Sequence, residues 1–275
     1  MPTQEELKRK IESTEQMGSV VSTMKALAAV SIRQYRRAVE SLADYNRTVE
    51  MGLRVILKDR PAGMEFERRE QQPGGGAVVF GSGQGMCGQF NEKIALHARR
   101  GMESLGGEKD DWKVLGTGAR IPGGLEEEGR PVDEFEHLPG SLGAIGDAVS
   151  RVLLRIENWR AEEGIERIIL FHNRPTSGAA YRPVTVRLLP LNRHWLESLE
   201  SEEWRSRSLP FYTMEWDKLF SALIRQFFFV TLYRAFAESL AAENAARLAA
   251  MEGAEKNIEE NLEEMHVAIA DSFEE

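Results

Sequence analysis

The sequence lacks most of the features that mark a catalytic chain. It has one cysteine, Cys87, in 275 residues. No internal disulfide can form, which fits a reducing, cytosolic compartment. No G-x-x-x-x-G-K-[ST] occurs, so the chain has no phosphate-binding P-loop of its own. The five histidines, His97, His137, His172, His194 and His266, are scattered without ligand spacing, which argues against a metal site. Positive charge is not in excess: 35 basic against 44 acidic residues leave a net charge of −9, so no nucleic-acid partner is expected. Long hydrophobic runs are missing too. The most apolar one, Phe227–Tyr233 (FFFVTLY), is bracketed by Arg225 and Arg234 and is too short to enter and span a membrane. The opening MPTQEELKRK has no apolar segment, so no secretory signal is expected.

Proline is absent from two stretches near the chain ends, and both are built for long helices. Ala235–Met265 is rich in Ala, Glu and Leu, residues that lose little rotamer freedom in a helix. Leu240, Leu248, Met251, Ile258, Leu262 and Met265 recur at steps near three and four, and Leu219, Leu223, Phe227, Val230 and Ala237 continue the stripe upstream. The pattern predicts a helix from about Trp216 to about Phe273, a rod of roughly 85 Å at ~1.5 Å per residue. At the other end, Thr3 and Glu6 form a capping-box pair. From there to Lys58, Met17, Val21, Met24, Ala28, Ser31, Tyr35, Ala38, Leu42, Tyr45 and Val49 step four, three, four, three, a heptad seam. Gly18 is a candidate bend, and Ala26, Ala28, Ala29 and Ser31 permit close approach of a partner helix. Each stripe needs a cover, and antiparallel pairing of the two helices supplies it.

The middle changes period. Residues 59–76 read as a linker of prolines, glycines and mixed charge. Strands are expected at Ala77–Phe80, Trp112–Leu115, Arg167–His172 and Val184–Leu191, and helices at Gln89–Glu103 and Leu142–Glu162. Gly81–Gly88 is a tight turn. Gly116–Gly140 reads as a long loop with a strand at Val132–Phe135, Asn173–Ala180 as a turn, and Leu191–Tyr212 as a polar connection. Alternating strand and helix predicts a small Rossmann-like α/β domain with a mostly parallel sheet. The fold class is therefore α/β plus a long antiparallel coiled coil. The predicted units are helix 1–58, linker 59–76, α/β domain 77–195, connection 196–212 and helix 213–275.

Two patterns offer chemistry. Gly83-Gln-Gly85-Met-Cys-Gly88 matches G-x-G-x-x-G between a predicted strand and helix, the context of a dinucleotide site with an anion on a helix N-terminus. Asp110 and Asp111 precede the next strand, whereas the ribose-binding acid normally ends it, so a tight strand-to-helix turn that uses glycine for steric reasons is the favoured reading. Cys87 with His172 as its base is a second candidate. The Glu-rich run Glu255–Glu264 is a solvated face with Lys256 paired at i±4, or an acidic surface for a partner.

Three segments together resemble the gamma subunit of F-type ATP synthases. Ile11 to Thr14 followed by Met24-Lys-Ala-Leu-Ala-Ala-Val-Ser31-Ile32 is similar to the family's I-x-x-T opening and M-x-M-V-A-A-S-K stretch. Gly83-Gln-Gly-Met-Cys-Gly-Gln-Phe-Asn91 is similar to D-R-G-L-C-G-x-x-N. Glu243-Asn-Ala-Ala-Arg247-Leu-Ala-Ala-Met251-Glu-Gly-Ala254-Glu-Lys-Asn257 is similar to S-E-x-x-A-R-M-x-A-M-x-x-A-x-x-N. The likeness spans most of the chain in the right order. Lys25, Ala26 and Gln84 depart from the pattern, and after Met265 the chain reads HVAIADSFEE instead of the family's ending, as in a divergent branch such as alternate bacterial synthases.

The resemblance implies a non-catalytic rotor shaft without a cofactor or metal. Its paired helices would sit in the cavity of an alternating alpha/beta hexamer, with its α/β domain at the foot against the epsilon subunit and the membrane c-ring. One copy per complex and a peripheral place on the cytoplasmic face of the bacterial inner membrane follow from it. The residues it nominates as contacts are Met24, Lys25, Arg33, Arg36 and Arg37 on the first helix, and Glu243, Arg247, Met251 and Asn257 on the last. The readings left open are a dinucleotide-binding enzyme using the Gly83–Gly88 turn and a non-rotary coiled-coil adaptor.

Overall fold

A computed structural model describes residues 4–61, 73–177, 180–204, 208 and 210–274. Two helices frame it: α1, Gln4–Lys58, and α6, Trp216–Glu274. They pair antiparallel. The Trp216 indole donates to the Ile56 carbonyl at 2.7 Å, Tyr45 donates to Gln226 at 2.7 Å, and far up the pair Lys25 bonds Glu255. Gly52 is where the two come nearest at the base: a Cβ there would stand 2.9 Å from Leu223. Gly18 lies within the continuous helix α1 against Ile258, so it marks a contact and not a helix break.

The predicted seam of α1 is followed in part. Ala28, Tyr35, Ala38 and Val49 are buried, but Met17 and Tyr45 are largely exposed. The stripe on α6 needs a larger correction. From Ala235 to Glu243 every residue is buried, because the helix has α1 on one side and a sheet on the other. A helix covered all round needs no polar face. By length and composition α6 also has an 18-residue window of mean hydropathy 1.2, enough to cross a membrane. Here its apolar residues cover the domain core.

Between the helices lies a five-stranded sheet of order β3-β2-β1-β4-β5, with β1 at Gly75–Phe80, β2 at Trp112–Thr117, β3 at Glu134–Glu136, β4 at Ile168–Pro175 and β5 at Tyr181–Leu189. The first four are parallel and β5 runs antiparallel at the edge. Side chains alternate across a strand. Ala77 and Val79 therefore face α2 (Phe90–Ser104) and α3 (Ile121–Glu127), together with Ile94, Met102, Ile121 and Phe171. Val78 and Phe80 face α1, α4 (Ile145–Glu162) and α6, together with Leu53, Trp159, Phe236 and Leu240. Both faces are covered, so the central strands are apolar throughout.

Three local expectations change. The stretch expected as a long loop, 116–140, contains α3, and its strand, expected at Val132–Phe135, lies at Glu134–Glu136. The polar connection holds a helix, α5, Arg193–Ser201, whose Leu196 and Leu199 are buried and whose Asn192 side chain caps it by accepting from Trp195. Gly75 and Gly76, expected in the linker, open β1. Thr3, linker residues 62–72 and positions 205–207 and 209 lie outside the described residues.

Candidate functional site

The glycine turn 81–88 packs onto α6, and the chain's own groups fill it. The Ser82 amide donates to Asn91 Oδ1 at 2.9 Å, and Asn91 Nδ2 donates back to Ser82 Oγ at 2.9 Å, which ties strand β1 to the first turn of α2. Gly88 takes a left-handed φ of 56° and Met86 one of 59°, so the turn is tight where glycine is free and strained where it is not. Against this turn stands the buried carboxylate of Glu243 on α6. It accepts from Arg247 at 2.7 Å and faces the Gly83 and Gln84 amides. Arg247 also reaches the Gln84 and Gly85 carbonyls at 3.4 Å. Burial pushes the Glu243 carboxyl up, and Arg247 and the two amides only partly offset it. Amides that would cradle a phosphate thus face a buried carboxylate, whose charge opposes a dinucleotide phosphate at this turn.

A second buried polar cluster sits about one and a half helical turns away. Glu238 Oε2 accepts from Arg174 Nε at 2.7 Å and lies 2.7 Å from His172 Nε2. Burial pushes the Glu238 carboxyl up, but the bonds from His172 and Arg174 outweigh it and hold it below its ordinary value. Burial also pushes His172 below its ordinary value, with the Glu238 bond only partly opposing. The pair is therefore a neutral imidazole donating to an ionised carboxylate. His172 and Cys87 belong to different networks: the Cys87 thiol lies 3.7 Å from the Gln84 carbonyl and 3.8 Å from Asn91, and burial raises its pKa. A raised thiol is a poor nucleophile. Among the described residues no group of three His, Cys, Asp or Glu side chains could hold a metal ion.

The nominated contact residues divide by position. Glu243, Arg247 and Met251 are buried, and the first two bond the chain's own turn. In this chain all three are turned inward. Met24, Lys25 and Arg36 are half-buried along the α1–α6 seam, with Lys25 bonded to Glu255. Arg33, Arg37 and Asn257 are exposed. Sequence reading did not find Glu238, His172 and Arg174 as a unit. Its one legible signal was two charged residues, Arg234 and Glu238, on a helix otherwise apolar enough to be buried.

The upper parts of α1 and α6 stand clear of the α/β domain. Beyond Met251 no described residue of α6 is buried, and between Gln4 and Leu27 only Leu7 is. Met17, Val20, Leu27 and Val30 form an exposed apolar band on α1, each more than half exposed.

A family model described as ATP synthase matches residues 3–270. The chain is 28% identical to the ATP synthase gamma chain of Rubrobacter xylanophilus, over 92% of this chain and 86% of that one. It is 23% identical to the ATP synthase gamma chain of a Nostoc species, over 91% and 87%. The structure resembles the rotor of the Euglena gracilis mitochondrial ATP synthase with a TM-score of 0.60 at 14% identity, covering 98% of this chain and 96% of that one. It also resembles a chain of the Tetrahymena thermophila mitochondrial ATP synthase central stalk and c-ring, with a TM-score of 0.58 at 17% identity, covering 86% and 99%. A match along nearly the whole length, joined to the paired helices and the inserted sheet, places the chain in the ATP synthase family, among the gamma chains.

Proposed function

We propose that this chain is the central shaft of a rotary, ion-translocating ATP synthase and carries no catalytic site of its own. The observation that supports it is the free upper part of the helix pair. From Met251 to Ala270 α6 runs on for roughly 30 Å at ~1.5 Å per residue, paired among the described residues with α1. A compact domain gains nothing from such a projection. A shaft that enters the cavity of an alpha/beta hexamer needs it, together with an apolar band to bear on the cavity wall. Unequal contact energy with three catalytic subunits then biases each toward a different nucleotide affinity.

In this reading the chain divides into a first helix, a linker that ends before Gly75, a foot domain from Gly75 through α5 at Ser201, a connection, and a last helix from Trp216. The foot meets an epsilon-type subunit and the c-ring, on the cytoplasmic face of the membrane. Arg33, Arg37 and Asn257 are the exposed candidates for hexamer contact, with Met24, Lys25 and Arg36 beside them in the seam. The test is co-expression of this chain with alpha and beta subunits from its own genome. One copy per hexamer, and ATPase turnover that depends on it, is the expected result. Failure of any complex to form would overturn the proposal.

A further inference from the structure

Torque between foot and shaft must pass across the contact of the sheet with α6. Most of what this part of α6 buries is apolar and small: Ala235, Ala237, Ala241 and Ala242 are buried, with Phe236 edge-on to Phe80 at 4.9 Å between ring centres. Such contacts hold surfaces together but are non-directional, and smooth alanine faces resist turning weakly. Directional resistance comes from charge-assisted hydrogen bonds. The described residues place two buried carboxylates of α6 in such bonds, one directly to the domain and one through Arg247. Glu238 is held by His172 and Arg174, which are two residues apart and so on one face of β4. Glu243 bonds Arg247 at 2.7 Å, and Arg247 in turn reaches the Gln84 and Gly85 carbonyls of the turn that follows β1 at 3.4 Å. The two acids are five residues apart. At 3.6 residues per turn they point about 140° apart around the helix axis. A single anchor permits pivoting, whereas two anchors at different azimuths, on two different segments of the domain, block rotation about the axis.

We propose that Glu238 and Glu243 are torque-bearing positioning residues, clamping the α/β domain to α6 against rotation about the shaft. This rests on the shaft reading above. Removing the charge of both clamps weakens the joint by two charge-assisted bond networks, which favours slipped arrangements about tenfold.

The test uses the whole complex in sealed vesicles, with ATP hydrolysis and ion pumping measured together. In the double variant Glu238→Gln, Glu243→Gln, hydrolysis is retained, and ions pumped per ATP fall about tenfold, with smaller falls in each single variant. Phe236→Leu is the comparator: it loosens the same interface without touching a clamp, and its pumping per ATP stays at the wild-type ratio. Should the double variant not assemble, Arg174→Gln, at the end of β4, carries the same readout. A wild-type pumping ratio in the folded double variant overturns the clamp alone, as does an equal fall in Phe236→Leu. A wild-type chain that never enters a complex overturns the shaft reading, and the clamp with it.

Discussion

The two halves of α6 obey different physics. Along its lower half, Ala235–Glu243 is buried without a break; Glu238 is bonded by His172 and Arg174 of β4, and Glu243 by Arg247 of the same helix, which also reaches the turn after β1. Along its upper half no described residue beyond Met251 is buried, and its acids, Glu252 to Glu264, face outward or pair with α1 or along the helix itself, as Glu255 does with Lys25 and Glu260 with Lys256. The lower half is stable by its own tertiary contacts. The upper half is two helices sharing one seam, with an apolar band on α1 that its own chain leaves uncovered. The molecule thus keeps its stability at the foot and its adaptable surface at the tip. Local opening is expected to follow the same gradient.

Substitutions can sharpen that contrast. The largest effect belongs to Phe236→Ala. The ring is fully buried between sheet and α1, so its removal should cost about 3–5 kcal/mol, whereas Leu27→Ala, on the exposed band, should cost under about 0.5 kcal/mol. Denaturant unfolding of both variants checks this, and equal losses would break the comparison. Next comes Arg247→Met, which leaves the Glu243 carboxylate buried with the amides alone. Stability should fall by about 3 kcal/mol, and a further Glu243→Gln should recover part of it.

Acidity provides a third and milder probe. Burial holds His172 below its ordinary value near 6.5, so the folded protein binds fewer protons there than the unfolded chain. Stability is then complete above about pH 6.5 and declines as pH falls through it. Glu238, held below its ordinary carboxylate value, adds a decline at lower pH still. Glu243 has the opposite sign: its raised value makes stability fall as pH rises through the carboxylate range. Melting temperatures from pH 7.5 to 5.5 should therefore drop for the wild type and change less for His172→Gln. A variant with the same slope as wild type would show that this imidazole titrates freely.

The smallest effects on folding are expected at the tip. Arg33→Gln with Arg37→Gln should leave the melting temperature unchanged, because both side chains are solvated. In the assembled complex the same pair should lower ion pumping per ATP. Unaltered pumping would remove the arginines from the contact surface.

How much of this was legible in the sequence varies with range. Long periodic segments were: α1 and α6 were placed within a few residues of their ends, since propensity and an apolar period add over many turns. The apolar strands β1, β2 and β4 were also readable. Short helices were not. Ile121–Glu127 (IPGGLEE) contains a proline and two glycines and forms because Ile121 and Leu125 are buried against α2 and the sheet. Arg193–Ser201 has a polar sequence, and Leu196 and Leu199 join the main core only through tertiary packing. The turn at Gly83 was read as a turn, but its partner was not. Glu243 lies some 160 residues further on, and no local pattern distinguishes a carboxylate that reaches a partner subunit from one that closes its own chain's turn.

What the sequence determined alone was the periodic skeleton: two long helices, a set of apolar strands between them, and a tight turn at Gly83–Gly88. These depend on backbone propensity and on spacing within one segment. What only the tertiary structure decided was the placement of charge. Glu238 and Glu243 are buried and clamped while Glu255 to Glu264 stay partly or fully in solvent, although all lie on one helix. The energy of a buried charge is set by desolvation and by the donors that other segments bring to it, and those donors come from strands and turns far away along the chain.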